Sequence, residues 1–246
     1  MLITTKIYAF DWEVETHMSN PDQFDPNPLP TEVGSDWVVY SAPPDTNWQT
    51  EADVDCADGM RLETSSGSGT PSGYVYFTHE SAGTEWVDNI SNSTGYTIET
   101  RMEAADLNPT KYCSLIYSAD GTYEWAVRFL GSEFTDVGKI ELPDVWISGG
   151  SQEYSIPLSG VGLYWAEYHI IRVTAIGSVI NIYLDNDLTP IITATLDNAV
   201  ASKRIYWNNG DSSGNGTSAR WDYIHYTTEG AFGPSNMGQC LLIGDY

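Results

Sequence analysis

Two glutamates flank an arginine in one strongly alternating run, and acidic residues at this spacing can do chemistry. Alternate side chains of a β-strand lie on one face, so Glu99, Arg101 and Glu103 are expected to lie together. Paired carboxyl groups can serve a glycosidase as nucleophile and acid/base. An arginine between two glutamates instead indicates a surface ion-pair row, which we expect Glu124 and Arg128 on a nearby strand to extend.

Three further patterns resemble catalytic or metal motifs, and each has a simpler structural interpretation. Residues 11–15 place three acids on one face, which suits an exposed edge strand kept soluble by charge. Residues 210–214 match the Gly-x-Ser-x-Gly pattern, but they lie in a polar loop between strands rather than on a strand-to-helix elbow. The four histidines, which lack metal-ligand spacing, are His17, His79, His169 and His225. We therefore expect no enzymatic activity and no catalytic residue.

Aromatic residues offer a different chemistry, because pyranose rings stack on aromatic faces. The 9 Trp and 16 Tyr of this chain are enough to build such a surface. The candidates for glycan binding, at loops or strand ends, are Trp146, Tyr154, Tyr164, Trp165 and Trp207, with Arg101 and Arg128 as charged contacts. Core packing is the alternative for each aromatic residue, and it is favoured for Trp125 and Trp221.

The segment Tyr168–Leu196 organises the elements that must position these residues. It contains three β-rich runs separated by the turn signals Gly177-Ser178 and 185–187, which predicts a meander of antiparallel strands. No segment shows a sustained helical period. Further strands are predicted at 37–40, 60–64, 74–78, 95–103, 112–117, 123–130, 139–142, 203–207 and 220–226. Regularly spaced short strands with Gly and Asp turns predict an all-β, antiparallel two-sheet sandwich.

Composition restricts the partners. The formal net charge is −24, from 10 basic and 34 acidic residues among 246. Phosphate binding needs clustered Lys and Arg, so this balance argues against nucleic acid and against an anionic membrane. Solubility is the simplest role for the charge.

The cysteines and the N-terminal residues say little about location. Three cysteines are present, and buried free thiols are favoured over a Cys56–Cys113 bridge, with Cys240 left over. No signal peptide is seen at the N-terminus, and a leader removed beforehand is the alternative. A virion or an extracellular surface is the favoured location.

Three segments carry a family resemblance. They are Glu167–Arg172 with its following turn and Tyr183–Asn186, then Gly95–Arg101, and then Trp221–Tyr226. The first resembles the aromatic-His-x-x-Arg strand of concanavalin A-like lectin/glucanase (laminin G-like) jelly rolls. The second resembles their Glu-x-Arg strand, and the third resembles their closing strand. The resemblance covers residues 27–232. The resemblance implies two antiparallel sheets, one concave, with sugar bound on the concave face.

The resemblance also bears on catalysis and on metal binding. Laminarinase-like members carry Glu-x-Asp-x-Glu on a concave strand, and that triplet is not found here, so a non-catalytic member is expected. In those relatives the aspartate that matches Asp222 binds a structural calcium together with backbone carbonyls, which makes Asp222 the metal candidate. A surface or hydrogen-bonded aspartate is the alternative. Asp185 and Asp187 fit a hairpin turn better than a metal site.

These observations predict three parts: an N-terminal arm at 1–25, the sandwich at 26–232 and a C-terminal tail at 233–246. Arm and tail carry apolar residues that docking onto other protein subunits would bury. The hypothesis is a non-enzymatic display or structural module of a virion or surface assembly, forming an oligomer and able to bind glycans. A soluble lectin module is the alternative, and a laminarinase-type hydrolase ranks behind both.

Overall fold

A computed structural model describes residues 8–11, 38–42, 48–52, 60–65, 74–79, 82, 85–105, 114–130, 137–157, 165, 167–209 and 218–234. These residues form fifteen β-strands with one short helix, α1 (Glu85–Asn89), and one 3₁₀ turn, Asp144–Trp146. The first eight strands are β1 (Tyr8–Asp11), β2 (Val38–Ala42), β3 (Trp48–Ala52), β4 (Met60–Ser65), β5 (Tyr74–His79), β6 (Tyr96–Ala105), β7 (Ser114–Asp120) and β8 (Glu124–Leu130). The others are β9 (Val137–Leu142), β10 (Gln152–Pro157), β11 (His169–Ile176), β12 (Val179–Leu184), β13 (Ile192–Thr195), β14 (Lys203–Asn209) and β15 (Ser218–Thr227).

The strands pair antiparallel in two sheets. Sheet A has the order β13-β12-β11-β6-β15-β4-β3, and β1 pairs with β15 beside β4. Sheet B has the order β10-β9-β8-β7-β14-β5-β2. One hydrophobic core contains buried side chains from both sheets, so the two sheets pack face to face as a sandwich. The face of each sheet turned away from this core is called its outer face below.

Large aromatic side chains fill the core. The fully buried ones include Trp86, Trp125, Trp165, Trp207, Trp221, Tyr96 and Phe129. The Tyr96 hydroxyl accepts hydrogen bonds from Ser118 Oγ at 3.0 Å and Trp125 Nε1 at 2.7 Å. Burial is the main cause that raises the pKa of Tyr96, so this residue is a neutral core group at ordinary pH.

The structure confirms the predicted fold class and the predicted meander. Strands β11, β12 and β13 are consecutive neighbours at one edge of sheet A. The core positions predicted for Trp125 and Trp221 are also confirmed, because both side chains are fully buried. The sequence prediction missed β3, β10 and the short helix α1. No helix in the described ranges is long and apolar enough to cross a membrane.

Residues near both ends of the described part of the chain contact the sandwich. Residues 8–11 were assigned to an arm ahead of the sandwich, but β1 pairs with residues 223–226 of β15. At the other end, Thr97 Oγ1 donates to the Gly230 carbonyl at 2.9 Å and accepts from Phe232 N–H at 2.8 Å. Residues 230–232 therefore lie over the outer face of sheet A. Cys56, Cys113 and Cys240 lie outside the described residues, as do residues 235–246.

Candidate functional site

The charged residues of β6 form a row of ion pairs on the outer face of sheet A. Glu99 accepts from Arg172 Nε of β11 at 2.6 Å, and Arg220 Nη1 of β15 donates to Glu103 at 2.6 Å. Between them, Arg101 Nη1 donates to the carboxylate of Asp222 at 2.5 Å. The row is buried rather than on the surface, since Glu99 is 6 % and Glu103 is 7 % exposed.

This row corrects one sequence prediction. Glu124 and Arg128, the expected partners, belong to β8 in the other sheet. Strand β6 lies between β11 and β15, so its outward side chains meet residues of those two strands. Each buried carboxylate has an arginine against it, which is an arrangement that supports the fold.

Asp222, the calcium candidate, lies at an irregularity of β15. The pairing register with β6 shifts between Trp221 and Tyr223, which marks a β-bulge. Calcium needs six to eight oxygen ligands. The Asp222 carboxylate is paired with Arg101, and the further oxygen ligands that the resemblance implies are backbone carbonyls. The calcium site stays a prediction from the resemblance, tested by whether chelator or added calcium changes the melting temperature.

The residues that carried the family resemblance in β11 hold a turn in place. Asp185 Oδ1 accepts from the Ile170 N–H at 2.9 Å, and its Oδ2 lies 2.7 Å from His169 Nδ1. Arg172 Nη2 donates to Asn186 Oδ1 at 3.2 Å. These contacts tie the β12–β13 turn to the start of β11. They confirm that Asp185 belongs to a hairpin turn.

The outer face of sheet B carries a second apolar cluster, outside the core. Its buried members are Leu115, Tyr117, Ala119 and Ala126 on the neighbouring strands β7 and β8. Half-buried residues that pack against it are Trp146, Val200 and Tyr206. Aromatic rings and small side chains thus make up one patch on a sheet face that points away from the core.

Polar groups surround the two tyrosines of this patch. The Tyr117 and Tyr206 rings stack with centroids 4.5 Å apart and an interplanar angle of 11°. Arg204 lies over the Tyr117 ring at 4.8 Å and donates to its hydroxyl at 3.2 Å. The Tyr117 hydroxyl donates to Glu124 Oε2, while Asn198 Nδ2 donates to Glu124 Oε1 at 3.0 Å. Burial, together with the bond to Glu124, raises the pKa of Tyr117 to about 12, so the phenol stays protonated and donates at neutral pH.

A tryptophan, an arginine and a glutamate flank the tyrosines on the β8–β9 side. Arg128 lies over the Trp146 ring with 5.5 Å between the guanidinium carbon and the ring centroid. Arg128 Nη1 is also 3.6 Å from Glu141 Oε2, and the two residues are direct cross-strand partners. The guanidinium therefore lies between an aromatic face and a carboxylate.

Loop backbone bonds fix this end of sheet B. The Asp197 N–H donates to the Trp146 carbonyl at 3.2 Å, and Ile147 forms a bridge with Leu196. The Glu124 N–H donates to the Asn198 carbonyl at 3.1 Å. The loop at 196–200 thus positions Asn198 and supports Trp146, so the aromatic and polar groups of this face are held by backbone contacts.

The structure separates the predicted glycan-binding residues. Trp146 and Arg128 lie on the outer face of sheet B. Tyr154 lies on the edge strand β10 opposite Ile140, so it does not share the face of Glu141 and Glu153. Arg101 belongs to the ion-pair row of sheet A, and Tyr164 lies outside the described residues.

Two predicted platform residues are core residues instead, which corrects that expectation. Trp165 is 1 % exposed, donates its indole N–H to the Leu130 carbonyl at 3.0 Å and covers Gly138, where a Cβ would clash with the indole. Trp207 is fully buried and packs edge-on against Trp221 at 4.9 Å. Neither ring presents a face to a ligand.

Sequence reasoning missed most residues of the site: Tyr117, Tyr206, Arg204, Glu124 as a site residue, Glu141 and Asn198. A signal is present in β7, where Leu115, Tyr117 and Ala119 make one alternating face wholly apolar while Ile116 is apolar on the other. A strand of a two-sheet sandwich has only one face in the core, so apolar residues on both faces indicate a second contact surface.

Comparisons with known proteins give structural neighbours alone. No protein-family model matches the chain, and no curated protein matches it. The chain resembles a structure of botulinum neurotoxin type C, which interacts with two ganglioside molecules, at 12 % identity and a TM-score of 0.51, over 87 % of this chain and 48 % of that one. It also resembles the binding domain of botulinum neurotoxin DC in complex with rat synaptotagmin II, at 13 % identity and a TM-score of 0.50, over 85 % of this chain and 46 % of that one.

A third neighbour is a phage protein. It is a carbohydrate esterase from the Shiga toxin-encoding bacteriophage phi24B, at 10 % identity and a TM-score of 0.51, over 78 % of this chain and 89 % of that one. The chain spans about half the length of the two toxin chains, 48 % and 46 %. At these identities the likeness shows a shared fold, a sandwich of two antiparallel sheets.

Proposed function

We propose that this chain is a carbohydrate-binding β-sandwich module, concanavalin A-like in fold and without catalytic activity. The glycan binds on the outer face of sheet B. One observation carries the proposal: aromatic rings and hydrogen-bonding side chains converge on that face, with Trp146 and the Tyr117–Tyr206 stack beside Arg204, Glu124 and Asn198.

The chemistry of this face suits a sugar. The apolar face of a pyranose ring packs on an aromatic ring, and Trp146 and Tyr206 are only partly buried by the protein. Sugar hydroxyls need both donors and acceptors. Asn198 supplies amide donors, and Glu124 keeps acceptor capacity, because a carboxylate offers about four lone-pair positions and the described bonds use two.

Two features support a binding role over an enzymatic one. Glu141 lies against Arg128, and Glu124 accepts from Tyr117 and Asn198, so both carboxylates are held as acceptors. A glycosidase uses two carboxyl groups on either side of the scissile bond, whereas these two carboxylates are engaged with side chains of the same sheet face. The neighbour that interacts with gangliosides adds support by analogy for glycan binding, and the carbohydrate esterase adds support for a carbohydrate ligand alone.

Display on a virion or surface assembly is the finer role predicted from the arm and the tail. The described part of the arm lies against the sandwich of the same chain, because β1 pairs with β15. Of the tail, the structure describes only Gly233 and Pro234. No contact in the described ranges favours docking on other subunits over this intramolecular packing. The assembly role remains a hypothesis that rests on residues outside those ranges.

The test is a glycan array followed by calorimetric titration of each oligosaccharide that binds. Trp146→Ala and Tyr206→Ala are expected to weaken binding about tenfold or more, because an aromatic anchor at a binding surface contributes on the order of 2 kcal/mol. Tyr154→Ala is the matched control, an exposed tyrosine of sheet B that does not lie on this face. A silent array, or equal binding by all three variants, would contradict the proposal.

A further inference from the structure

The charged groups around the proposed site are mostly acidic. Two arginines, Arg128 and Arg204, contribute positive charge. The carboxylates of Glu124 and Glu141 contact them or their partners, and the loops that carry Trp146 and Asn198 add two exposed acids, Asp144 and Asp197. With the neighbouring Lys139–Glu153 pair of the same face included, five carboxylates lie near three cationic groups and leave this end of sheet B negative.

Both arginines are already engaged within the protein. Arg204 lies over Tyr117 and bonds its hydroxyl, and its Nε is buried without a hydrogen-bond partner among the described residues. Arg128 lies between the Trp146 ring and Glu141. A carboxylate or sulfate could reach Arg204 only through its remaining Nη hydrogens, because one Nη2 hydrogen is bonded to Tyr117 and the bidentate approach through the buried Nε is closed. At Arg128 an anion would compete with Glu141.

The remaining polar groups suit hydroxyls. The Asn198 amide donates and accepts, and the carboxylates of Glu124 and Glu141 accept from O–H groups that approach from solvent. A hydroxyl can satisfy a carboxylate by donating, whereas an anionic substituent at the same place meets like charge. The overall charge of −24 adds a long-range repulsion toward polyanions.

We infer that the ligand of this face is an uncharged oligosaccharide of two or more sugar units. The inference rests on the proposed function. The length follows from the layout: Trp146 lies beside Arg128 on β8, and Tyr206 lies on β14, two strands away through β7. Neighbouring strands are about 4.8 Å apart, so the two aromatic residues span roughly 10 Å of sheet, more than one pyranose ring covers.

The test compares matched neutral and acidic probes by calorimetry. The pairs are lacto-N-neotetraose with its sialylated form and cellotetraose with its sulfated form, added to the full chain after an array of both classes. We expect at least one neutral probe to bind, with its acidic form weaker by tenfold or more. The neutral affinity should change less than twofold between about 0.01 M and about 1 M salt, over which the Debye length falls from about 30 Å to about 3 Å.

A variant separates local charge from shape. Glu124→Gln keeps the size of the side chain and an acceptor oxygen but removes one negative charge. The ratio of the neutral-probe affinity to the acidic-probe affinity should therefore fall several-fold. Glu167→Gln is the control, because it removes the same charge from an exposed residue that precedes β11 of the other sheet. Tighter binding of an acidic probe that weakens steeply with salt would overturn the inference and leave the proposed function standing. Absence of binding to every probe and to the array would overturn both.

Discussion

Two buried carboxylates lie on one strand, β6. Glu99 and Glu103 are almost fully buried, and each has an arginine from a neighbouring strand against it. A buried carboxylate without such a partner costs several kcal/mol of desolvation free energy. A one-residue slip of β6 would turn these glutamates toward the core, so the row favours the observed register between β11 and β15.

The Glu99–Arg172 pair gives a prediction about stability. Arg172 is 4 % exposed, and Arg172→Met should lower the free energy of unfolding by about 3–5 kcal/mol, since it leaves the Glu99 charge buried. Lys139→Met is the matched control: it breaks the exposed pair with Glu153, whose side chains are 40 % and 46 % exposed, and should cost under about 1 kcal/mol. Urea unfolding measures the free energy of unfolding of both variants, and the comparison requires that their m-values equal that of the unchanged protein.

A second variant separates the effect of the unpaired buried charge from the effect of lost packing. The double change Arg172→Met with Glu99→Leu removes both charges and should recover a large part of the lost stability, because it removes the uncompensated carboxylate. Equal losses in the single and double variants would show that packing, rather than charge burial, makes Arg172 important.

At the scale of elements, the β12–β13 turn contains two residues other than glycine in the left-handed backbone region. Asp185 and Asn186 have φ values of 50° and 61°, and the Asp187 N–H donates to the Leu184 carbonyl at 2.9 Å. Positive φ at both central residues defines a type I′ turn, which Asn, Asp and Gly tolerate best. The Asp185 carboxylate then ties the turn to Ile170 and His169 of β11.

The turn gives the next prediction. Asp185→Ala should lower the free energy of unfolding by about 2–3 kcal/mol, because it places alanine at positive φ and removes the bonds to Ile170 and His169. Asp185→Asn keeps an acceptor and tolerates the same φ, so its cost should be about 1 kcal/mol or less. Thermal and urea unfolding measure both. Equal losses would mean that the charge beside His169, and not the turn geometry, is the main contribution.

The sequence was sufficient for most strands, with β3 and β10 missed, and insufficient to show which strands lie side by side. The alternation in β6 correctly placed Tyr96, Ile98 and Met102 in the core. It could not show which strands lie beside β6, because pairing depends on the order of strands in the sheet and not on local period. For the same reason the sequence predicts Arg128 beside the ion-pair row of β6, whereas it lies on β8 in sheet B.

The site was harder to predict than the fold. In β14, Tyr206 and Trp207 are adjacent aromatic residues on opposite faces. Local sequence does not say which of the two enters the core, and the packing of sheet A against sheet B decides it: Trp207 is buried, and Tyr206 joins the patch. Asn198 reaches Glu124 only because the loop at 196–200 pairs with β8, a contact of 74 residues' separation.

At the scale of the whole molecule, the two outer faces have different surroundings. On sheet A, residues 230–232 and an ion-pair row occupy the outer face. On sheet B, the described part of the outer face holds partly exposed aromatic and polar groups. This asymmetry assigns structural roles to one sheet and the proposed binding role to the other.

The arm gives the last prediction, which separates packing within one chain from assembly. Deletion of residues 1–25 removes β1 and leaves residues 223–226 of β15 without that partner strand. Losing a few ladder hydrogen bonds, at about 1 kcal/mol each, should lower the melting temperature by about 5–10 °C without changing the number of chains per particle. Deletion of residues 1–7 keeps β1 and is the control, with an unchanged melting temperature. Light scattering coupled to size exclusion gives the mass, and calorimetry gives the melting temperature at two protein concentrations. A full-length oligomer that becomes monomeric when residues 1–25 are removed, with a melting temperature that rises with concentration, would instead support assembly through the arm.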